Sequence, residues 1–218
     1  MKHDVILFDL DGTLTDPGEG ITNSVAYALR KLGQTPPPRA KLEAYIGPPL
    51  VDSFEKLACL DRPTAELAVK YYREYFADTG IFENEIYPGI HEMLEQLKQA
   101  GAVLCLATSK PTVFARKILE HFDLTKYFDQ VVGSELDGRR IKKGDVISYA
   151  LELLGITDKD SAVMIGDREH DTIGATENGV FSVGVTYGYG SRQELEGSGA
   201  GHVVESVSQL TKYLLTDC

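Results

Sequence analysis

"DVILFDLDGTLTD", residues 4 to 16, opens as a buried strand and ends in acid. Val5, Ile6, Leu7 and Phe8 are apolar; Asp9 and Asp11 then follow two apart, with Gly12 and Thr13 behind them. In an extended chain residues i and i+2 share one side, roughly 6–7 Å apart. Two bare carboxylates that close repel, so a cation, a shared proton or open water has to compensate. The acids sit at the mouth of whatever core the apolar run enters.

The same kind of run recurs along the chain: "AVLCLA" (102–107), "QVVG" (130–133), "AVMI" (162–165), "FSVGV" (181–185) and "HVV" (202–204). Amphipathic stretches separate them. "IHEMLEQLKQA" (90–100) sets Ile90, Met93, Leu94 and Leu97 on one helical face, and "VISYALELLG" (146–155) and "SVSQLTKYLL" (206–215) show similar spacing. Nearly all-apolar strands alternating with helices imply a parallel sheet covered on both faces, an α/β fold of three Rossmann-like layers. Residues 18–83 break the rhythm. They hold helical patterns such as "ITNSVAYALRKLG" and "PTAELAVKYYREYFADTG", punctuated by "TPPPR" and "IGPPL". A structureless loop of that length is improbable, so an inserted helical domain is expected there. The α/β core then comprises 1–17 and 84–218.

Composition narrows the class. Lys plus Arg number 22 against 33 Asp plus Glu, a net charge of −11, which argues against a nucleic-acid or anionic-membrane surface. Lys2 precedes only four consecutive apolar residues, and no run approaches the roughly 20 of a membrane span. Cys59, Cys105 and Cys218 are odd in number and far apart, with no CxxC. That fits a reducing compartment, and the expected location is cytoplasmic.

Open parallel sheets bind ligands beyond the carboxyl ends of their strands. Three strands end there in polar residues: Asp9, Asp11 and Thr13 after the first, Thr108, Ser109 and Lys110 after "AVLCLA", and Gly166, Asp167 and Asp171 after "AVMI". Each alone reads as a cap or turn. Together, at one rim, they form a carboxylate cluster with hydroxyls and a lysine. Such hard oxygen ligands, without His or Cys, suit Mg²⁺ rather than Zn²⁺. A Mg²⁺ on Asp9 and Asp167 would relieve the repulsion and present a free edge to a phosphate oxygen. The five histidines lack ligand spacing; His170, beside Asp167, reads as solvent-facing. "TYGYGS" (186–191) reads as a flexible loop near the site rather than a phosphate cradle, because it lacks GxGxxG.

These residues resemble the haloacid-dehalogenase-like phosphohydrolases. "DLDGTLT" resembles the family's first motif, Thr108 in "LATSK" its second, and "IGDREHD" its fourth, GDxxxD. The helical insertion is similar to the family's type-one cap, and "YIGPPL" and "ENGVFSVGVTYGYGS" resemble the phosphoglycolate-phosphatase branch. The resemblance implies that Asp9 is a nucleophile forming an aspartyl-phosphate and that Asp11 is the acid and base. It implies Mg²⁺ held by Asp9, the Asp11 carbonyl and Asp167, with Asp171 orienting the site from behind and Thr13 steadying the loop. Thr108, Ser109 and the amides after Asp9, Gly12 among them, would hold phosphoryl oxygens. For the third motif the sequence departs from "KPxP" and reads "RRIKKGDVISYAL": Lys143 falls at the motif position, and Lys142 is the alternative.

The second acid, Asp11, argues against a carbon–halogen substrate, because dehalogenases of the family lack it. A phosphosugar mutase shares Asp9, Asp11 and the cap, and a pyrophosphatase is a further alternative. A catalytically retired binding protein would usually have lost one of the acids, and none is lost here. The expected activity is therefore Mg²⁺-dependent hydrolysis of a small phosphate ester: phosphoglycolate-like, a nucleoside monophosphate or a sugar phosphate. Selectivity is expected from the cap around Tyr45, Ile46 and Gly47, with Arg73. Whether the chain works as a monomer or homodimer is not readable.

Overall fold

The apolar runs become strands and the amphipathic stretches helices. The computed structural model describes residues 3–216, so Lys2 and Cys218 lie outside the described residues. In chain order the elements begin with β1 (Val5–Phe8) and β2 (Thr15–Asp16). Helices α1 (Gly18–Lys31), α2 (Arg39–Leu42), α3 (Leu50–Leu57) and α4 (Arg62–Tyr75) follow, then β3 (Glu85–Ile86). The remainder alternates: α5 (Ile90–Gln99), β4 (Val103–Pro111), α6 (Thr112–His121), β5 (Gln130–Ser134), α7 (Lys143–Leu153), β6 (Ala162–Gly166), α8 (Glu169–Glu177), β7 (Phe181–Val185), α9 (Arg192–Gly197), β8 (His202–Val204) and α10 (Val207–Leu215).

Six strands form one sheet in the order β5-β4-β1-β6-β7-β8, every neighbouring pair parallel. Phe8 of β1 is level with Leu106 of β4 and Ile165 of β6. That register aligns the three strand ends, so Asp9, Thr108 and Asp167 emerge at one rim. Alternation divides the strand residues between two buried faces. Leu7, Cys105 and Met164 join Val146, Ile147 and Ala150 of α7 and Ala175 of α8 on one side. Ile6, Phe8, Leu104 and Leu106 are equally buried on the other, where Phe8 meets Phe128 edge-on at 6.4 Å. Each such side chain contributes about 1.5–3 kcal/mol on burial. This is the α/β, Rossmann-like layering expected from the sequence.

The chain divides into two compact units, one running through Thr15 and resuming at Ile86, the other Asp16–Glu85. The division falls two residues before the expected 17/18 boundary and two after 83/84. The reason is local: β2 and β3 pair with each other in a two-stranded sheet at the two crossings, a feature too short to read from periodicity. The inserted unit is helical throughout its interior. Val25, Ala28 and Leu29 of α1 and Ala65, Ala68 and Val69 of α4 are buried in it. Asp61 caps α4 by accepting from Thr64 N–H at 3.0 Å, ahead of Pro63.

Cys105 lies fully buried in β4, and burial pushes its thiol up to about 12, whereas Cys59 is exposed. A thiol with that value stays protonated, hence unreactive, across pH 7–10. Peptide mapping after brief iodoacetamide treatment at pH 8 should find Cys59 alkylated and Cys105 protected until denaturant is added. Cys105 modified in the native protein would contradict the packing described.

Candidate active site

The site is built where the three central strands stop. β1 ends at Phe8, and the Asp9 amide donates to Ile165 O at 2.9 Å, which still fastens the residue to β6. Beyond it the chain turns sharply. Gly12 sits at φ +80°, and a Cβ there would overlap the Asp167 carboxylate, so both conformation and space require glycine. The turn lies directly after the second acid, Asp11, and brings the backbone of Gly12 against Asp167.

Each acid has its own lysine. Lys143, the first residue of α7, reaches back so that its Nζ lies 2.8 Å from Asp9 Oδ1, 2.8 Å from Asp171 Oδ1 and 3.1 Å from Ala107 O. All three charged groups are buried. Lys110, in the last residues of β4, places its Nζ 2.9 Å from Asp11 Oδ2. Lys142 is exposed and stands at the helix cap, outside this cluster. Burial opposes the charge on Lys143, but Asp171 and Asp9 outweigh it and raise its pKa.

Asp9, Asp167 and Asp171 offer carboxylate oxygens within 4.8 Å of one another. Three carboxylates around one ammonium leave an excess of buried negative charge. The cost is visible at Asp167 and Asp171. Burial, reinforced by Asp171 and Asp9, raises Asp167 well above the usual carboxylate range. Burial likewise raises Asp171, to about 6, against the pull of Lys143. Asp167 Oδ2 accepts from Tyr189 N–H at 2.8 Å, while its Oδ1 is buried with no hydrogen-bond partner among the described residues. An orphaned carboxylate oxygen inside an all-oxygen, over-charged cluster fits a divalent cation. Asp171 lies in this carboxylate cluster, and its Oδ2 also accepts from Arg168 N–H at 3.1 Å.

Burial also raises Asp11, although Lys110 draws it down. A carboxyl with raised pKa beside a site of negative charge is suited to donate a proton. Thr108 is buried, and its Oγ1 accepts from Lys110 N–H at 3.2 Å; Ser109 O accepts from Ser134 Oγ at 2.7 Å. An irregularity in the β4–β5 register between Ala107 and Pro111 carries these residues along the rim.

Some expectations need correction. The Thr13 hydroxyl is buried and makes no hydrogen bond among the described residues; it is the Thr13 carbonyl that is held, by Tyr187 Oη at 2.9 Å. His170 is half-buried rather than solvent-facing, and burial lowers its pKa. In the inserted unit Tyr45 and Ile46 are buried, with Tyr45 edge-on to Phe54 at 5.2 Å, which is the environment of packing residues. Gly47 sits there at φ +101°, and Arg73 is half-buried with no carboxylate partner among the described residues. The Lys110–Asp11 pair was not assigned from sequence. Its one signal was a lysine two residues after Thr108 at a strand end.

Comparison with known proteins agrees with this chemistry. Residues 6–185 match the family model described as "Haloacid dehalogenase-like hydrolase". A 5'-nucleotidase of Pseudomonas aeruginosa is 46% identical over 98% of this chain and 96% of its own length. The tyrosine-protein kinase PtkA of Mycobacterium tuberculosis is 38% identical over 85% of this chain, a match covering 63% of that protein. Phosphoglycolate phosphatases stand further off, one at 28% identity. Among solved structures, a predicted phosphatase from Clostridium acetobutylicum superposes with a TM-score of 0.95 at 51% identity, over 99% of both chains. The chain belongs to the haloacid dehalogenase-like hydrolase family and is a phosphatase, a hydrolase of phosphoric monoesters.

Proposed function

We propose that this phosphatase hydrolyses a small phosphomonoester by way of an aspartyl-phosphate on Asp9, with Mg²⁺ as its metal. The observation that carries this reading is the division of the two acids between two lysines, Lys143 with Asp9 and Lys110 with Asp11. Identical side chains two residues apart acquire different environments, as a nucleophile and a separate acid–base group require.

Asp9 attacks phosphorus, the ester oxygen departs, and Asp11 gives it a proton. Asp11 then takes a proton from the water that attacks the phosphoryl group, which releases phosphate and regenerates the Asp9 carboxylate. The Lys143 ammonium balances charge as it accumulates on the phosphoryl oxygens. Thr108, Ser109 and the amides at Gly12 and its neighbours hold those oxygens. Asp9, Asp167 and the Asp11 carbonyl would hold Mg²⁺, with the Asp171 carboxylate adjoining; the bound ion supplies charge neutralisation and a template for the phosphate.

Among substrates the nucleoside 5'-monophosphates come first, on the identity with the 5'-nucleotidase. Phosphoglycolate-like and sugar phosphates follow. Gly47 and Arg73 of the inserted unit are the positions to vary for selectivity, Arg73 because a half-buried guanidinium without a carboxylate partner suits an anionic or hydrogen-bonding substrate group.

Release of inorganic phosphate from a panel of phosphomonoesters, scored as kcat/KM, should be led by nucleoside 5'-monophosphates and vanish with EDTA. D9N should lower kcat by roughly a thousandfold or more. Isomerised product without phosphate release would indicate a mutase, and D9N with wild-type activity would overturn the reading. K143M should reduce kcat by roughly a hundredfold or more and cost about 3–5 kcal/mol of stability, because it strands buried carboxylates. K142A, at an exposed position, should stay within about twofold. The reverse ranking in the same assay and melts would assign the role to Lys142.

A further inference from the structure

The segment Tyr187–Gly190 follows β7, and it is tied to the site at both ends. Tyr187 is half-buried, and its Oη donates to Thr13 O at 2.9 Å. Burial, with Asp167 and Tyr87 nearby, raises the phenol's pKa, so it stays a donor. Two residues on, Tyr189 N–H donates to Asp167 Oδ2 at 2.8 Å. Between them, a Cβ on Gly188 would overlap the Gly12 carbonyl oxygen and come within 2.6 Å of Asp167 Cβ; one on Gly190 would overlap the Asp167 carbonyl oxygen. The two glycines therefore let this backbone lie directly on the turn after Asp9 and on Asp167. The Tyr187 ring is held in turn by Tyr87, edge-on at 5.0 Å, and Tyr87 N–H donates to Leu14 O at 3.1 Å. Two hydrogen bonds of the segment thus end on the site, one on the Thr13 carbonyl and one on the Asp167 carboxylate.

We infer that Tyr187–Gly190 is a positioning element of the reaction, in which Tyr187 fixes the Asp11–Thr13 turn through the Thr13 carbonyl while Tyr189 N–H fixes Asp167. The inference rests on the function proposed above. The Asp11 carbonyl, the Asp11 carboxyl and the Asp167 carboxylate come from two different strand ends, and nothing in the β1–β6 ladder extends far enough to hold them in mutual register. The segment does so with one side-chain and one main-chain hydrogen bond. A displacement of about 1 Å in such groups costs up to roughly a hundredfold in rate, and loss of outer hydrogen bonds around a metal site weakens metal affinity or activity by roughly 10- to 100-fold.

The test compares wild type, Y187F, G188A and, as a control at the far edge of the sheet, Y213F, whose ring stacks on His202. Three quantities are measured: Mg²⁺ affinity of the metal-free protein by calorimetry, kcat and KM for p-nitrophenyl phosphate, and the thermal melt. Y187F should melt cooperatively within a few degrees of wild type, bind Mg²⁺ at least roughly tenfold more weakly, and lose kcat with KM little changed. G188A should move Mg²⁺ affinity in the same direction, and Y213F should move neither. Y187F with wild-type Mg²⁺ affinity and kcat overturns the inference. So does a Y187F that loses its cooperative melt, because the residue is then structural. A wild type that neither binds Mg²⁺ nor releases phosphate refutes instead the function on which the inference rests.

Discussion

The site depends on one ion-paired knot: the Lys143 ammonium, buried, 2.8 Å from both Asp9 and Asp171. Neither carboxylate could sit in this interior alone, since an unpaired buried charge is costly and would be neutralised. The lysine comes from the first turn of α7, whose Val146, Ile147 and Ala150 are part of the core under the sheet. Helix position, core packing and the ion pair on Asp9 are therefore one constraint. The Ala107 carbonyl, the third partner of Nζ, ties the same lysine to β4. The lysine links three elements at the point where the sheet ends.

That constraint explains why the excess charge is not relieved by protein alone. One ammonium pairs with two of the three clustered carboxylates, and the third, Asp167, keeps a buried oxygen that accepts no hydrogen bond from the described residues. The fold has assembled more negative charge than it neutralises, at the place where a cation and a phosphoryl group would meet. On the reading proposed here, stability is given up locally so that ligands complete the electrostatics. Asp11 is not paired with Lys143; Lys110 receives it instead.

Much of this was legible in the sequence, and for identifiable reasons. The all-apolar runs of β1, β4 and β6 announce a two-sided parallel sheet, and parallel strands end together, so Asp9, Thr108 and Asp167 could be gathered without coordinates. The choice between Lys142 and Lys143 was not readable, because adjacent helical positions differ by about 100° in direction and only the packed helix says which one faces the rim. The β2–β3 pair escaped because two-residue strands have no period. The part played by "TYGYGS" escaped for a different reason. Its information lies in the space that Gly188 and Gly190 leave for Gly12 and Asp167, a contact between distant segments that composition alone renders as a flexible loop.

The central claim is that the phosphoryl group passes through the Asp9 carboxylate. Rapid-quench digestion of the enzyme mixed with a phosphorus-labelled nucleoside monophosphate tests it directly. The account predicts a transient, hydroxylamine-labile label on the peptide that carries Asp9, forming and decaying within one turnover. Label on a different residue, or full turnover with no labelled protein at any time, would contradict it.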